Sequence, residues 1–247
     1  MEKNEVNRLE VLDHGFVILR NAAGPTRRPD AEFDADDTDP ANAARMSFDK
    51  MDSGRTREED LKLCNYLMEN WHTTPFESIE LWIEMKMPIF VARQFVRHRT
   101  TSINEVSGRY VTLPDEWYIP ALSDIVYKVK DKKQGGRPID LDNPEEVLAG
   151  ERYQMSLDDD CKNSYRKYLQ YLEWGIAPEQ ARLSLHLNHY THWLWKQDMH
   201  NIMHFLSLRD HSHAQGEAKT YAKQVDKLIR RVLPNTMSLY DEYRRME

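Results

Sequence analysis

The sequence predicts an α+β fold: a single domain over residues 1–247, with a small mixed or antiparallel sheet packed by long helices. Three observations carry that expectation. Between 76 and 87 the odd positions Ile79, Leu81, Ile83, Met85 and Met87 are apolar, while Ser78, Glu80, Glu84 and Lys86 are polar and Trp82 alone breaks the alternation. A period of two marks a half-buried strand. Residues 57–71 and 218–243 instead carry apolar side chains at helical spacing, and 144–174 reads as one long helix. Finally, the chain has only nine glycines, none of them in GxGxxG or GxxxxGK. Dinucleotide and P-loop folds need glycine for close backbone approach to phosphate, so any nucleotide here is held chiefly through side chains.

Taken in order, residues 9–20 suggest a strand pair turning near His14 and Gly15. The Asp-, Pro- and Ala-rich run 25–40 reads as a loop, and 41–48 as a short helix. In 57–71, Leu61, Cys64, Leu67 and Met68 share a face, which places Cys64 in the core. Pro75 stops any helix there, so His72 and Thr74 fall in a turn before the strand. Pro88 suits a helix start, and 89–98 can run for about three turns. On that helix Gln94, Arg97 and His98 stand at i, i+3 and i+4 and share a face. Residues 104–113 read as a second strand, with Glu105, Ser107 and Arg109 on one side. Residues 114–120 form a Trp- and Tyr-containing connection, and 131–143 a mobile loop or insertion. Cys161 lies in a charge-dense stretch with no adjacent histidine to activate it. Pro178 suits a helix start, with Glu179 and Arg182 one turn apart, and His200 and His204 share the face of a later helix that Arg209 nearly ends. The last helical region breaks at Pro234.

Hydrophobic content of 40% and charged content of 30% describe a soluble globular chain. No apolar run is long enough for a membrane span, and the acidic N-terminal residues do not form a signal peptide. Two cysteines make no disulfide framework, which fits a reducing cytoplasm. A net charge of −7 argues against a nucleic-acid binder, so an anionic ligand requires local arginine clusters. Seven histidines between 186 and 213 raise the question of a metal. His186, His189 and His192 step by three and His200 and His204 by four, yet there is no HExxH or CxxC, and packing among Tyr190, Trp193 and Trp195 explains them as well. The expected metal content is none.

The densest chemistry lies in RHRTTSINEVSGRY, residues 97–110. It closely resembles the signature RHRxxSxNExSxRY of the flavin-dependent thymidylate synthases, matching at Arg97, His98, Arg99, Ser102, Asn104, Glu105, Ser107, Arg109 and Tyr110. A WHxxPFE-like segment at 71–77, and an Arg followed by HAQ at Arg209 and His213-Ala214-Gln215, extend the resemblance over roughly residues 10–225. The resemblance implies synthesis of dTMP from dUMP, with methylenetetrahydrofolate as carbon donor and NADPH reducing bound FAD. It implies flavin contacts at Thr74, Arg97, His98, Arg99, Glu105, Asp198, Met199, His200 and His204, and more weakly at His72. It implies dUMP contacts at Gln94, Phe95, Val96, Arg97, Glu105, Val106, Ser107, Gly108, Arg109, Arg182 and Arg209. Arg209 would be the catalytic group, set against N3 and O2 of the uracil. The family assembles as a homotetramer with sites between subunits, so Thr74 would serve a neighbour's flavin. Asp198 departs from members with Asn there, because a carboxylate only accepts hydrogen bonds. His204 likewise stands where members carry Asn. The cysteine-dependent synthases use a thiolate that adds to uracil C6; neither Cys64 nor Cys161 has the surroundings for it, so flavin hydride must do the reductive work. A flavin-binding module without activity would keep the arginines but oxidise no NADPH and transfer no methyl group.

Overall fold

The computed structural model describes residues 7–51, 55–130, 136–210 and 216–245. Strands β1 (Arg8–Val11) and β2 (Gly15–Ala23) form the expected hairpin. Gly15 is required at its turn, since a β-carbon would stand 2.6 Å from the Val11 carbonyl oxygen and 1.9 Å from the Tyr221 hydroxyl. Helices α1 (Asp39–Arg45), α2 (Arg57–Glu69) and the single turn α3 (Thr74–Glu77) follow, then β3 (Glu80–Pro88) and α4 (Ile89–Phe95). The chain continues with β4 (Ser102–Glu105), the small strands β5 (Val126–Lys128) and β6 (Gly136–Pro138), α5 (Pro144–Glu173) and α6 (Pro178–Ala181). It ends with β7 (Tyr190–Asp198), α7 (Met199–Arg209), α8 (Gly216–Val232) and α9 (Pro234–Tyr243).

Five strands form one sheet in the order β1-β2-β3-β7-β4, antiparallel at every pairing, so the small sheet expected from sequence is antiparallel rather than mixed. Leu81, Ile83 and Met85 of β3 lie opposite Gln197, Trp195 and Trp193 of β7, and all are buried on one face. α8 closes this face with the buried stripe Ala218, Tyr221, Ala222, Val225 and Ile229, spaced as a helix requires. Removing each larger side chain from water stabilises by about 1.5–3 kcal/mol. Asp37, in the long loop, ties the two ends of the chain together. Its carboxylate accepts from the Thr236 amide (2.7 Å) and hydroxyl (2.8 Å), and from the Asn235 amide (3.1 Å) and side chain (2.9 Å). A residue almost two hundred positions away thereby caps α9, whose own N-cap residue, Leu233, makes no side-chain cap bond.

Several local expectations are corrected. α4 ends at Phe95, so Arg97 and His98 follow the helix instead of lying on it. The second strand covers Ser102–Glu105, and residues 108–110 turn, so Glu105, Ser107 and Arg109 do not share a strand face. Thr74 opens a one-turn helix, because Pro75 is tolerated in a first turn that needs no proline N–H. Part of the expected 131–143 loop, Gly136–Pro138, pairs with β5; residues 131–135 lie outside the described chain. Cys161 is buried at 3% exposure, its sulfur taking a hydrogen bond from the Asn188 side chain (3.2 Å). His192 stands on a strand, so its spacing from His186 and His189 is not that of one helix face.

Candidate functional site

The site grows from the point where α4 stops. Phe95 is fully buried and meets Phe205 of α7 edge-on, with centroids 4.9 Å apart. The turn after it leaves Arg97 and Arg99 exposed and folds His98 inward. The His98 ring is 8% exposed and packs against Phe205 at 5.0 Å, with His204 at 6.4 Å. Arg209, the last residue of α7, reaches into this corner. Its Nε–H donates to His98 Nε2 (3.1 Å) and its Nη2 to the Gln94 carbonyl oxygen (2.9 Å). A ring nitrogen that accepts from a guanidinium has no proton, so His98 is the neutral tautomer protonated at Nδ1. Burial first, then the Arg209 charge and His204, pushes its pKa down to about 4. Burial also lowers the pKa of Arg209, whose charge is offset by the carbonyl ends of two helices, α4 and α7.

Downstream, β4 lies at the sheet edge against β7, with Glu105 opposite Trp193. The Glu105 carboxylate accepts from the Thr191 hydroxyl, and the Val106 amide donates to the His192 carbonyl (2.8 Å). Ser107 then starts the turn: its hydroxyl accepts from the Arg109 amide (3.3 Å) and its carbonyl from the Tyr110 amide (3.0 Å). Gly108 is the buried pivot. A β-carbon there would stand 3.0 Å from Leu113 and 3.4 Å from Arg182 Cδ, so the stem of Arg182 lies along the turn that carries Arg109. α5 anchors the exit from this turn, since the Tyr168 hydroxyl accepts from the Leu113 amide (3.1 Å) and the Tyr165 hydroxyl donates to the Leu113 carbonyl (2.9 Å).

Many arginines are matched by carboxylates and others are not; among the described residues Arg27, Arg93, Arg152 and Arg166 are exposed without an ion pair, as are four arginines of this region. Arg8, Arg28, Arg45, Arg57, Arg137 and Arg230 all meet carboxylates. Arg97, Arg99, Arg109 and Arg182 are exposed, and among the described residues none of them forms an ion pair. Arginine cations left without carboxylates in a chain of net charge −7 are suited to an anionic ligand. Guanidinium groups keep their charge and grip phosphate bidentately, so the donor set fits a nucleotide or a flavin pyrophosphate.

The remaining expected residues are placed unevenly. Thr74 is exposed at the start of α3, which packs on α7. Asp198 caps α7: its carboxylate accepts from the Asn201 amide (2.9 Å) and side chain (2.7 Å). Met199 and Phe95 are wholly buried, so this structure leaves neither open to a ligand. Val96 and Val106 are each 37% exposed, His204 is exposed and His200 half-buried. His213-Ala214-Gln215 lies outside the described residues. Among the described residues no group of three His, Cys, Asp or Glu side chains could hold a metal ion. His189 instead sits buried with Nε2 2.8 Å from the Pro114 carbonyl oxygen, and His192 pairs with Glu84 at 2.7 Å. Sequence reasoning missed Thr191 and Gln197, whose side chain donates to the Thr100 hydroxyl (3.3 Å) and steadies the motif. The available signal was the alternation Thr191, Trp193, Trp195, Gln197 along β7, obscured by Leu194 on the opposite face.

Comparison with known proteins adds three findings. The family described as thymidylate synthase complementing protein matches residues 31–235. A flavin-dependent thymidylate synthase of Gluconobacter oxydans is 38% identical over 99% of this chain and 76% of its own length, and one of Rickettsia bellii is 37% identical over 96% and 79%. Among solved structures, a UMP/dUMP methylase from Streptomyces cacaoi bound with 5-Br dUMP superposes with a TM-score of 0.78 at 26% identity, covering 96% of this chain and 99% of that one.

Proposed function

The chain belongs to the flavin-dependent thymidylate synthase family, and on that premise we propose that it makes dTMP from dUMP with bound FAD, methylenetetrahydrofolate as carbon donor and NADPH as reductant. The observation that carries the reading is the set of arginines without ion pairs around residues 97–110, in a chain that is otherwise acidic. Arg97 and Arg99 are the groups to hold flavin phosphates, with Glu105, Thr74 and the 198–204 segment completing the cofactor site. FAD, when bound, supplies the hydride that the methylene carbon needs to become a methyl group. Arg109 and Arg182, brought together by the Gly108 turn, suit the dUMP phosphate. Ser107 fixes that turn through its own hydroxyl and carbonyl.

Arg209 is assigned to the pyrimidine. A guanidinium against N3 and O2 stabilises the negative charge that develops on the ring as C5 attacks the one-carbon unit. No thiolate is needed at C6, and neither cysteine is built to supply one. Burial pushes the Cys64 thiol up to about 12 and raises Cys161 as well. A homotetramer with shared sites is the proposed assembly, supported by the exposure of Tyr110 (79%), Leu183 (80%) and Leu187 (68%) around the motif.

The test is the purified protein itself. It should absorb near ~450 nm as a flavoprotein and form dTMP from dUMP only when methylenetetrahydrofolate and NADPH are both present. A colourless protein that forms no dTMP after FAD is added would overturn the reading. Running UMP beside dUMP addresses the Streptomyces protein, which is a UMP/dUMP methylase. Greater identity to the thymidylate synthases predicts preference for dUMP.

A further inference from the structure

His98 occupies a place that flavin binding alone does not explain. Its ring is turned away from solvent between two exposed arginines, its face lies against Phe205, and its Nε2 is engaged by Arg209 across 111 positions of sequence. The same guanidinium donates to the Gln94 carbonyl, at the end of α4 where no helical N–H remains to claim it. Two acceptors on adjacent edges of a planar fork leave the guanidinium no rotational freedom. Nη1 is the edge they leave uncommitted among the described residues.

We propose that His98 is a positioning residue for the reaction: as a fixed acceptor at Nε2 it sets the plane of the Arg209 guanidinium and turns the Nη1 edge toward the pyrimidine. The proposal rests on the assignment of Arg209 to the uracil ring. A lysine at 209 could not be held this way, because an ammonium is a point charge without a plane. The chemistry also requires a neutral ring. A protonated imidazole would have no lone pair at Nε2 and would repel the guanidinium. Nδ1–H remains available to a ligand, so a contact there is compatible with the positioning role.

The experiment is a double-mutant cycle on the holoenzyme, reading dTMP formation, dUMP dissociation constant and flavin content for His98→Phe, Arg209→Ala and the pair. His98→Phe keeps an aromatic ring against Phe205 but removes the acceptor. With FAD saturating, it should lower kcat for dTMP by on the order of 10- to 100-fold, the worth of a hydrogen bond to a charged group. In the Arg209→Ala background the same change should cost less than about twofold, because a residue acting only through Arg209 has nothing left to position. His98→Gln, whose Oε1 can reach the Nε2 position, should recover at least about tenfold of the loss. Should His98→Phe fail to fold, His98→Gln is set against His98→Asn, whose shorter side chain cannot reach, and Asn should be the slower by about tenfold. Equal rates for Gln and Asn overturn the proposal, as does full additivity of the cycle measured at saturating FAD. Normal dTMP formation by Arg209→Ala would instead bring down the assignment of Arg209 itself, whatever His98 does.

Discussion

Replacing both cysteines tests directly whether this protein works without a thiolate. Cys64 is 1% exposed, and its Sγ donates to the Asp37 carbonyl at 3.3 Å. With a pKa pushed up to about 12 by burial, then by the charges of Asp37 and Asp60, the thiol stays protonated at neutral pH. Cys161 is 3% exposed beneath Asn188, and its pKa too is raised by burial. Neither sulfur has a bond with His98, Arg209 or the 107–110 turn. Cys64→Ser keeps a donor for the Asp37 carbonyl but buries a more polar, smaller atom, a cost of about 1–2 kcal/mol. Cys161→Ser keeps a partner in Asn188 and should cost under about 1 kcal/mol. The sites share no bonded partner, so the double variant should lose about 1–3 kcal/mol, or roughly 2–12 °C in Tm. The rate of dTMP formation at 25 °C, below that transition, should stay within about threefold of the parent. Loss of dTMP formation with flavin content and circular dichroism unchanged would refute the reasoning and restore a cysteine nucleophile.

Four further outcomes are expected. Arg209→Ala should fold and keep FAD and NADPH oxidation yet form dTMP at least ~100-fold more slowly at saturating dUMP, and a near-normal rate would make Arg209 structural. Arg99→Ala should release flavin, read as a fall in absorbance near ~450 nm relative to protein, and full occupancy would argue against the cofactor assignment. Asp37→Ala strips four accepted hydrogen bonds from the start of α9 and should cost about 3 kcal/mol, lowering Tm by about 6–12 °C; a shift below about 2 °C would show that α9 does not need this cap. His98 also makes stability pH-dependent. Its native pKa of about 4 lies below the ordinary value, so between about 6.5 and 4 the unfolded chain binds a proton that the native state refuses. Stability should therefore fall on acidification through that window, by on the order of 2–3 kcal/mol from His98, and denaturant titrations of His98→Phe should show a shallower slope, the remainder including that of buried His189, whose pKa burial also lowers.

What the amino-acid sequence determined by itself is whatever depends on short-range pattern. Alternation at 79–87 placed β3, with Leu81, Ile83, Met85 and Met87 all buried. Helical spacing placed α2 and buried Cys64, and proline marked the starts of α5, α6 and α9. The motif residues were equally legible, because guanidinium, imidazole and carboxylate chemistry is carried by residue type. Tertiary structure decided where those groups point. α4 stopped short of Arg97 because Phe95 is pinned against Phe205 and His98 turns in to meet Arg209, contacts made by a helix a hundred residues later. β7 was hidden for a related reason: a strand between two others carries bulky side chains on both faces, so its period of two is blurred. Ser107 to Tyr110 turned instead of extending, since Gly108 and Leu113 pack against α5 and Arg182 rather than along the sheet. Periodicity reports which face of a segment meets the core, because it is set by backbone geometry within a few residues. Where a segment ends, and which cation meets which acceptor, depends on partners distant in sequence, and only the packed chain brings those together.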